Sequence, residues 1–186
     1  MTTGEGGMAI TSDEELADRM YKLRNHHQTK TPTEKKENWG YDVDGLGFNF
    51  RMSELSACLG VNQLEKLPDM NESRRAVAKR YQDAIADIPG LSWCGDIDRK
   101  EHVFHLFVIR IEEEYEFSRA ELYENLAAEG IRAGVHYPPI SRLSYYDNVV
   151  GSVPNAESLF EEILSIPMFP DMSRETQNQI VEALDI

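Results

Sequence analysis

The chain has 186 residues, a hydrophobic share of 41%, an aromatic share of 9% and a formal charge of -14. Such a chain forms one globular domain, or one and a fraction. Its acidic balance disfavours nucleic acid and anionic membrane as partners, because both are bound through basic side chains.

The two cysteines, Cys58 and Cys94, have neither metal nor disulfide-framework spacing, so a reducing, cytoplasmic setting is expected. No apolar run reaches the length of a membrane span, and no secretory leader is expected after Met1.

In chain order, Gly4, Gly6 and Gly7 precede Met8-Ala9-Ile10, which reads as a loop entering a strand. Ser12 to Glu15 forms an S-x-x-E capping box, and Leu16, Met20 and Leu23 mark one face of a helix reaching about Arg24. Residues 25–38 are polar and aperiodic, hence a loop. The rest of the chain is organised around the stretch 45–63, GLGFNFRMSELSACLGVNQ. Gly45 and Gly47 give backbone freedom at a turn. Ser53 is a candidate N-cap, with Leu55, Leu59, Leu64 and Leu67 at helical spacing behind it. Asn49 and Arg51 therefore sit just before a helix N-terminus, a place suited to an anion such as phosphate. The plainer alternative is an Asn in a turn and an Arg on the surface. Cys58 reads as a small core residue.

Pro68 is expected to kink or end this helix. A second helical pattern runs through Val77, Tyr81 and Ile85 to Pro89-Gly90, which makes the arm a candidate hinge between domains. Residues 91–94 read as a short strand. Residues 102–111, HVFHLFVIRI, read as a central strand with two mostly apolar faces. A capping box from Ser118 to Glu121 opens a helix that ends at Gly130. Residues 131–137 alternate as a strand stopped by Pro138-Pro139, and 140–153 read as loop. Asn155 is expected to cap a helix through Leu159, Phe160 and Ile163. Residues 166–169 form a short apolar stretch, and Ser173 caps a last helix with Ile180 and Leu184 on its face. The back half is thus a small α/β domain of the α+β or mixed-sheet kind.

No metal site is expected among the five histidines. His102 and His105 would face opposite sides of a strand, and His26 and His27 diverge. His136 ends a strand and is followed by Tyr137 and two stiffening prolines, a common place for a ligand group. The alternative is a satisfied histidine at a sheet edge. The glycines at 4–7 fit neither the Walker nor the dinucleotide fingerprint. There is no G-x-S-x-G elbow and no H-E-x-x-H.

Several segments together resemble the DegT/StrS family of sugar-nucleotide aminotransferases, which use pyridoxal phosphate (PLP). TTGEGGMAITSDEELADRMYKLRNH resembles the segment after that family's catalytic lysine. GLGFNFRMSELSACLGVNQLEKL resembles its G-x-N-[YF]-R-M-S-E-L block, and HVFHLFVIRI its H-x-Y-H-L strand. GIRAGVHYPPI and PNAESLFEEILSIPMFPDMS resemble its two closing segments. The match covers almost the whole chain in order.

The resemblance implies the C-terminal part of an α/β, fold-type I PLP-dependent transferase. Residues 1–67 would be a partial large PLP-binding domain, and 68–186 the small domain with its linking helix. It implies transfer of an amino group from glutamate to a keto-sugar nucleotide, by a homodimer with the active site at the subunit interface. Asn49, and less directly Arg51, would reach the PLP phosphate of the neighbouring subunit. His136 and Tyr137 would border the sugar-nucleotide pocket, and Gly4 to Gly7 would shape the turn after the lysine.

The family's Schiff-base lysine is expected upstream of Met1, so no catalytic residue is assigned within the chain. Lys22, Lys30, Lys35 and Lys36 lie on a helix or polar loop and are not promoted to that role. The chain alone is therefore expected to be inactive. The alternatives are a non-catalytic module that pairs with a full-length homologue, a sugar dehydratase-like relative, and a fragment of a longer gene. Apolar groups of the first part, such as Ile10, Leu16, Met20 and Trp39, are expected to lack burial partners.

Overall fold

Asp13 opens the first helix. A computed structural model describes residues 1–29, 40–93, 102–146 and 151–185. Two compact units emerge, Met1–Leu67 and Pro68–Ile186.

In the first unit, α1 spans Glu14–Arg24. The capping box expected at Ser12 is replaced by a cap one residue later. Thr11 Oγ1 accepts the Asp13 N–H at 3.1 Å, and the Asp13 carboxylate accepts the Leu16 N–H at 3.0 Å. No strand follows Gly7, and Met8, Ala9 and Ile10 are exposed. Asn25 is the sole buried residue among those described in this unit. Of the apolar groups expected to lack burial partners, Ile10 is 91% exposed and Leu16 is exposed, whereas Met20 is half-buried; Trp39 lies outside the described residues.

Helix α2 spans Glu54–Ile85, 32 residues with Pro68 inside it. The helix does not end at Pro68. Proline forfeits one backbone donor and crowds the preceding turn, but burial further along the helix offsets that. Val77, Ala78, Tyr81 and Ile85 are buried together on one face. Cys58 is exposed rather than in a core. The apolar stripe around it, with Leu55, Leu59 and Leu64, is exposed as well.

The second unit holds a three-stranded antiparallel sheet in the order β1-β2-β3, with β1 at Leu91–Trp93, β2 at Phe107–Ile111 and β3 at Ile163–Ile166. Cys94 lies outside the described residues. The central strand is shorter than the sequence suggests. Residues 102–106 leave the ladder, and Phe104 has a φ of 45°. The Arg74 guanidinium takes the carbonyls of Phe104 and His105 at 3.0 and 3.3 Å, which uses acceptors a strand neighbour would otherwise need. Along β2, Phe107, Ile109 and Ile111 are buried, Val108 is half-buried and Arg110 is exposed. One face therefore packs and the other does not.

Helix α3, Arg119–Ala128, carries the expected Ser118–Glu121 capping box. Helix α4, Pro154–Glu162, starts after Val153 without a side-chain cap and with Pro154 in its first turn, so Asn155 lies inside the helix and does not cap it. Proline's fixed φ suits the first turn. Ile163 begins β3 instead of ending the helix. Residues 131–137 do not form a strand. A single bridge from Gly134 to Ser165 is all that remains of the expected ladder. Helix α5, Arg174–Glu182, is capped by Ser173 as expected. The core gathers Tyr81, Ile85, Phe107, Ile109, Leu122, Leu126, Leu164 and Leu184. The Tyr81 hydroxyl donates to the Pro167 carbonyl at 2.9 Å, so this buried phenol is satisfied.

Candidate functional site

The first locus lies in the first unit, where residues 23–29 run beside residues 42–50. His26 N–H donates to Phe48 O at 2.9 Å, Phe48 N–H to Leu23 O at 2.7 Å and Phe50 N–H to Arg24 O at 3.0 Å. Glycine is required at position 47, because a Cβ there would lie 2.1 Å from the His27 backbone nitrogen. Asp44 fastens the other end. It pairs with His27 Nδ1 at 2.6 Å and Lys22 Nζ at 3.3 Å. The hydrogen bond from His27, then that from Lys22, holds its carboxyl below the usual carboxylate range.

This scaffold carries Asn49, which bridges buried Asn25 through the backbone. The Phe48 and Phe50 rings stack at 4.8 Å on either side of it in sequence. Arg51 Nε donates to Asn49 Oδ1 at 3.1 Å. Guanidinium cannot accept, so the Asn49 amide offers it oxygen and keeps its NH2 for another partner. Both side chains are exposed. Ser53 then accepts the Ser56 N–H at 3.2 Å as α2 begins. The structure thus brings Asn49 and Arg51 together as an edge of N–H donors beside a helix start, which suits an anion.

The second locus lies in the second unit. His136 is half-buried and Tyr137 is 71% exposed, with their rings edge-on at 4.7 Å. The His136–Tyr137 peptide is cis. His136 Nδ1 lies 2.9 Å from Ser165 Oγ. Beyond Pro139, a 3-10 turn at Ile140–Arg142 is fastened to α4. Ser141 Oγ donates to Glu157 at 2.7 Å, and Arg142 pairs with Glu161. The guanidiniums of Arg142 and Arg119 each lie 4.8 Å from the Phe160 ring centroid.

Sequence reasoning missed Ser165, although a serine inside the apolar run Ile163–Ile166 is a visible oddity. It also missed the Lys22–Asp44–His27 cluster, which joins residues far apart in sequence. No lysine among the described residues has a carbonyl-reactive setting. Lys22 is held by Asp44, Lys79 pairs with Asp83, and Lys66 is exposed. Lys30, Lys35 and Lys36 lie outside the described residues. Also among the described residues, no three His, Cys, Asp or Glu side chains gather as a metal site, and no helix is long and apolar enough to cross a membrane.

Known proteins resemble this chain along most of its length. The chain is 35% identical over 193 residues to the spore coat polysaccharide biosynthesis protein SpsC of Bacillus subtilis, covering 99% of this chain and 50% of SpsC. It is 34% identical over 175 residues to UDP-4-amino-4,6-dideoxy-N-acetyl-beta-L-altrosamine transaminase of Campylobacter jejuni, covering 93% of this chain and 45% of that enzyme. The structure matches Spr1654 of Streptococcus pneumoniae, solved in its PLP form, with a TM-score of 0.81 at 26% identity, over 96% of this chain and 45% of that one. The chain therefore spans about half the length of these relatives, and its α/β fold is that of part of a fold-type I transferase. The family model for the DegT/DnrJ/EryC1/StrS aminotransferases matches residues 1–185, and the chain belongs to that family.

Proposed function

We propose that the chain serves a PLP-dependent aminotransferase that moves an amino group from glutamate to a keto-sugar nucleotide for polysaccharide or amino-sugar synthesis. The observation that carries this reading is the donor edge made by Asn49 and Arg51 ahead of α2. Family membership and the names of the sugar-processing relatives support it. When bound, PLP supplies the electron sink for the transfer. The described residues fit its phosphate, through Asn49 and Arg51, but none of their lysines fits its aldehyde.

On this reading Asn49 and Arg51 serve the phosphate in a neighbouring subunit's site, and His136 and Tyr137 border the sugar nucleotide. Residues 1–67 contribute to a large cofactor domain, and residues 68–186 form the small domain. The partner is a second copy or a full-length homologue. The exposure of Met8, Leu46 and Leu55, at 82%, 78% and 86%, favours such a partner, because large apolar groups left in water gain from being covered. The unpaired Cys58 suits a reducing, cytoplasmic compartment.

The test is visible absorbance after PLP is added to the chain alone. None of the described lysines is expected to give a band, and one that vanishes on substitution of Lys22, Lys66 or Lys79 would contradict their poor fit to the aldehyde.

A further inference from the structure

We propose that Ser165 is a positioning residue that fixes the imidazole of His136 in one tautomer, with the proton on Nε2. Ser165 is held from both sides. Its backbone exchanges two hydrogen bonds with Gly134, at 2.9 and 2.7 Å, and it pairs with Val108 of β2 in the sheet register. It is 5% exposed, and it is the polar member of a four-residue strand buried throughout. Its position is therefore set by the sheet and not by its hydroxyl.

That hydroxyl lies 2.9 Å from His136 Nδ1. A buried O–H needs an acceptor, and the imidazole nitrogen is the partner the structure gives it. If Nδ1 carried the proton, it would donate to Ser165 and leave the serine's own proton unplaced. With Ser165 donating, Nδ1 is the acceptor and Nε2–H is the ring's one remaining donor. Gly134 leaves room for the ring, because a Cβ there would lie 3.0 Å from His136 Cε1. The Tyr137 ring meets the imidazole edge-on, with the ring centroids 4.7 Å apart.

Fixing a tautomer through the second ring nitrogen is how proteins set which atom a histidine presents to a ligand. The consequence for chemistry rests on the reading of His136 as a sugar-nucleotide residue. Nε2–H would then donate to an acceptor oxygen of the nucleotide sugar, with its orientation set in advance by β3.

Nitrogen NMR of the histidine rings in the full chain tests this, with His136→Gln to assign the signals and the pH set so that the ring is neutral. In the native chain Nδ1 should resonate as a hydrogen-bonded acceptor and Nε2 as a protonated nitrogen, with the Nε2–H form nearly exclusive. Ser165→Ala should shift the ring toward the tautomer mixture of free imidazole, and Ser165→Thr should restore the native pattern. Gly134→Ala should disturb the ring without removing the hydroxyl. The backbone amide signal at position 134 reports whether the bridge survives in each variant. A native ring protonated on Nδ1, or nitrogen shifts that Ser165→Ala leaves in place, would overturn the proposal. Uridine diphosphate then separates it from the functional reading. A ring fixed by Ser165 but unmoved by the nucleotide supports the positioning role and counts against the sugar-nucleotide reading. A ring that moves equally with the nucleotide in native and Ser165→Ala chains does the reverse.

Discussion

Arg51 Nε donates to Asn49 Oδ1 at 3.1 Å, so the two side chains at the head of α2 form one donor unit. Arg51 orients the amide, and the amide NH2 faces away from it. Asn49→Asp keeps the shape and replaces two donors with a carboxylate. In an assembled enzyme, this change is expected to weaken PLP while leaving pyridoxal, which lacks the phosphate, nearly unaffected. Loss of a hydrogen bond to a charged group is worth about 1.5–3 kcal/mol, so a drop of roughly tenfold or more in PLP affinity is expected. Equilibrium titration with the two ligands measures it.

Gly47→Ala is expected to disorder the loop that carries Asn49. The new Cβ would meet backbone, at 2.1 Å from His27 N, and backbone cannot step aside as a side-chain tip can. Overpacking of this kind costs about 1–3 kcal/mol. Hydrogen exchange should show faster exchange at His26, Phe48 and Phe50, whose amides bond across this contact. The amides of β2 should be unchanged.

Tyr81 links α2 to the turn after β3, and burial pushes its phenol well above the usual value. The raised folded value means that the neutral phenol stabilises the fold fully below the unfolded phenol's pKa. That stability is lost as pH rises past it toward the folded value. Unfolding in alkali should therefore steepen from about pH 10, and Tyr81→Phe should remove Tyr81's share of the steepening. At neutral pH the same substitution should cost about 1 kcal/mol through the lost hydrogen bond to Pro167. Urea denaturation at several pH values reads both effects.

Asp44 titrates in the opposite sense. Its carboxyl is held low by His27 and Lys22, so its contribution is present above the ordinary carboxylate value and is lost as pH falls through its folded value. Amide exchange at Phe48 should rise in that acid window. Asp44→Asn should exchange faster already at neutral pH, with a weaker acid dependence.

Local chemistry was legible in the sequence, and long-range pairing was not. Ser118 and Ser173 cap helices as expected, because a cap depends on residues three apart. The adjacency of Asn49 and Arg51 follows from a separation of two residues. The end of α4 at Glu162 carries no Gly or Pro signal, since the chain turns there to pair with β2, a neighbour more than fifty residues away in sequence (Arg110 opposite Ile163). The same reason hides Ser165 beside His136. Residues 131–137 alternate well enough to suggest a strand, yet pair through Gly134 alone. At Pro68 the helix does not end, and it runs on to the residues it buries at Val77, Tyr81 and Ile85.

A mixed assembly tests whether Asn49 completes a site in another subunit. A full-length member of the family, with its own counterpart of Asn49 replaced by alanine, supplies the lysine and the cofactor domain. This chain supplies Asn49. Glutamate-dependent amination of a UDP-linked keto-sugar is then measured with the native chain and with Asn49→Ala. The native chain should restore activity and the variant should not. Activity that ignores the identity of residue 49 would contradict a shared site.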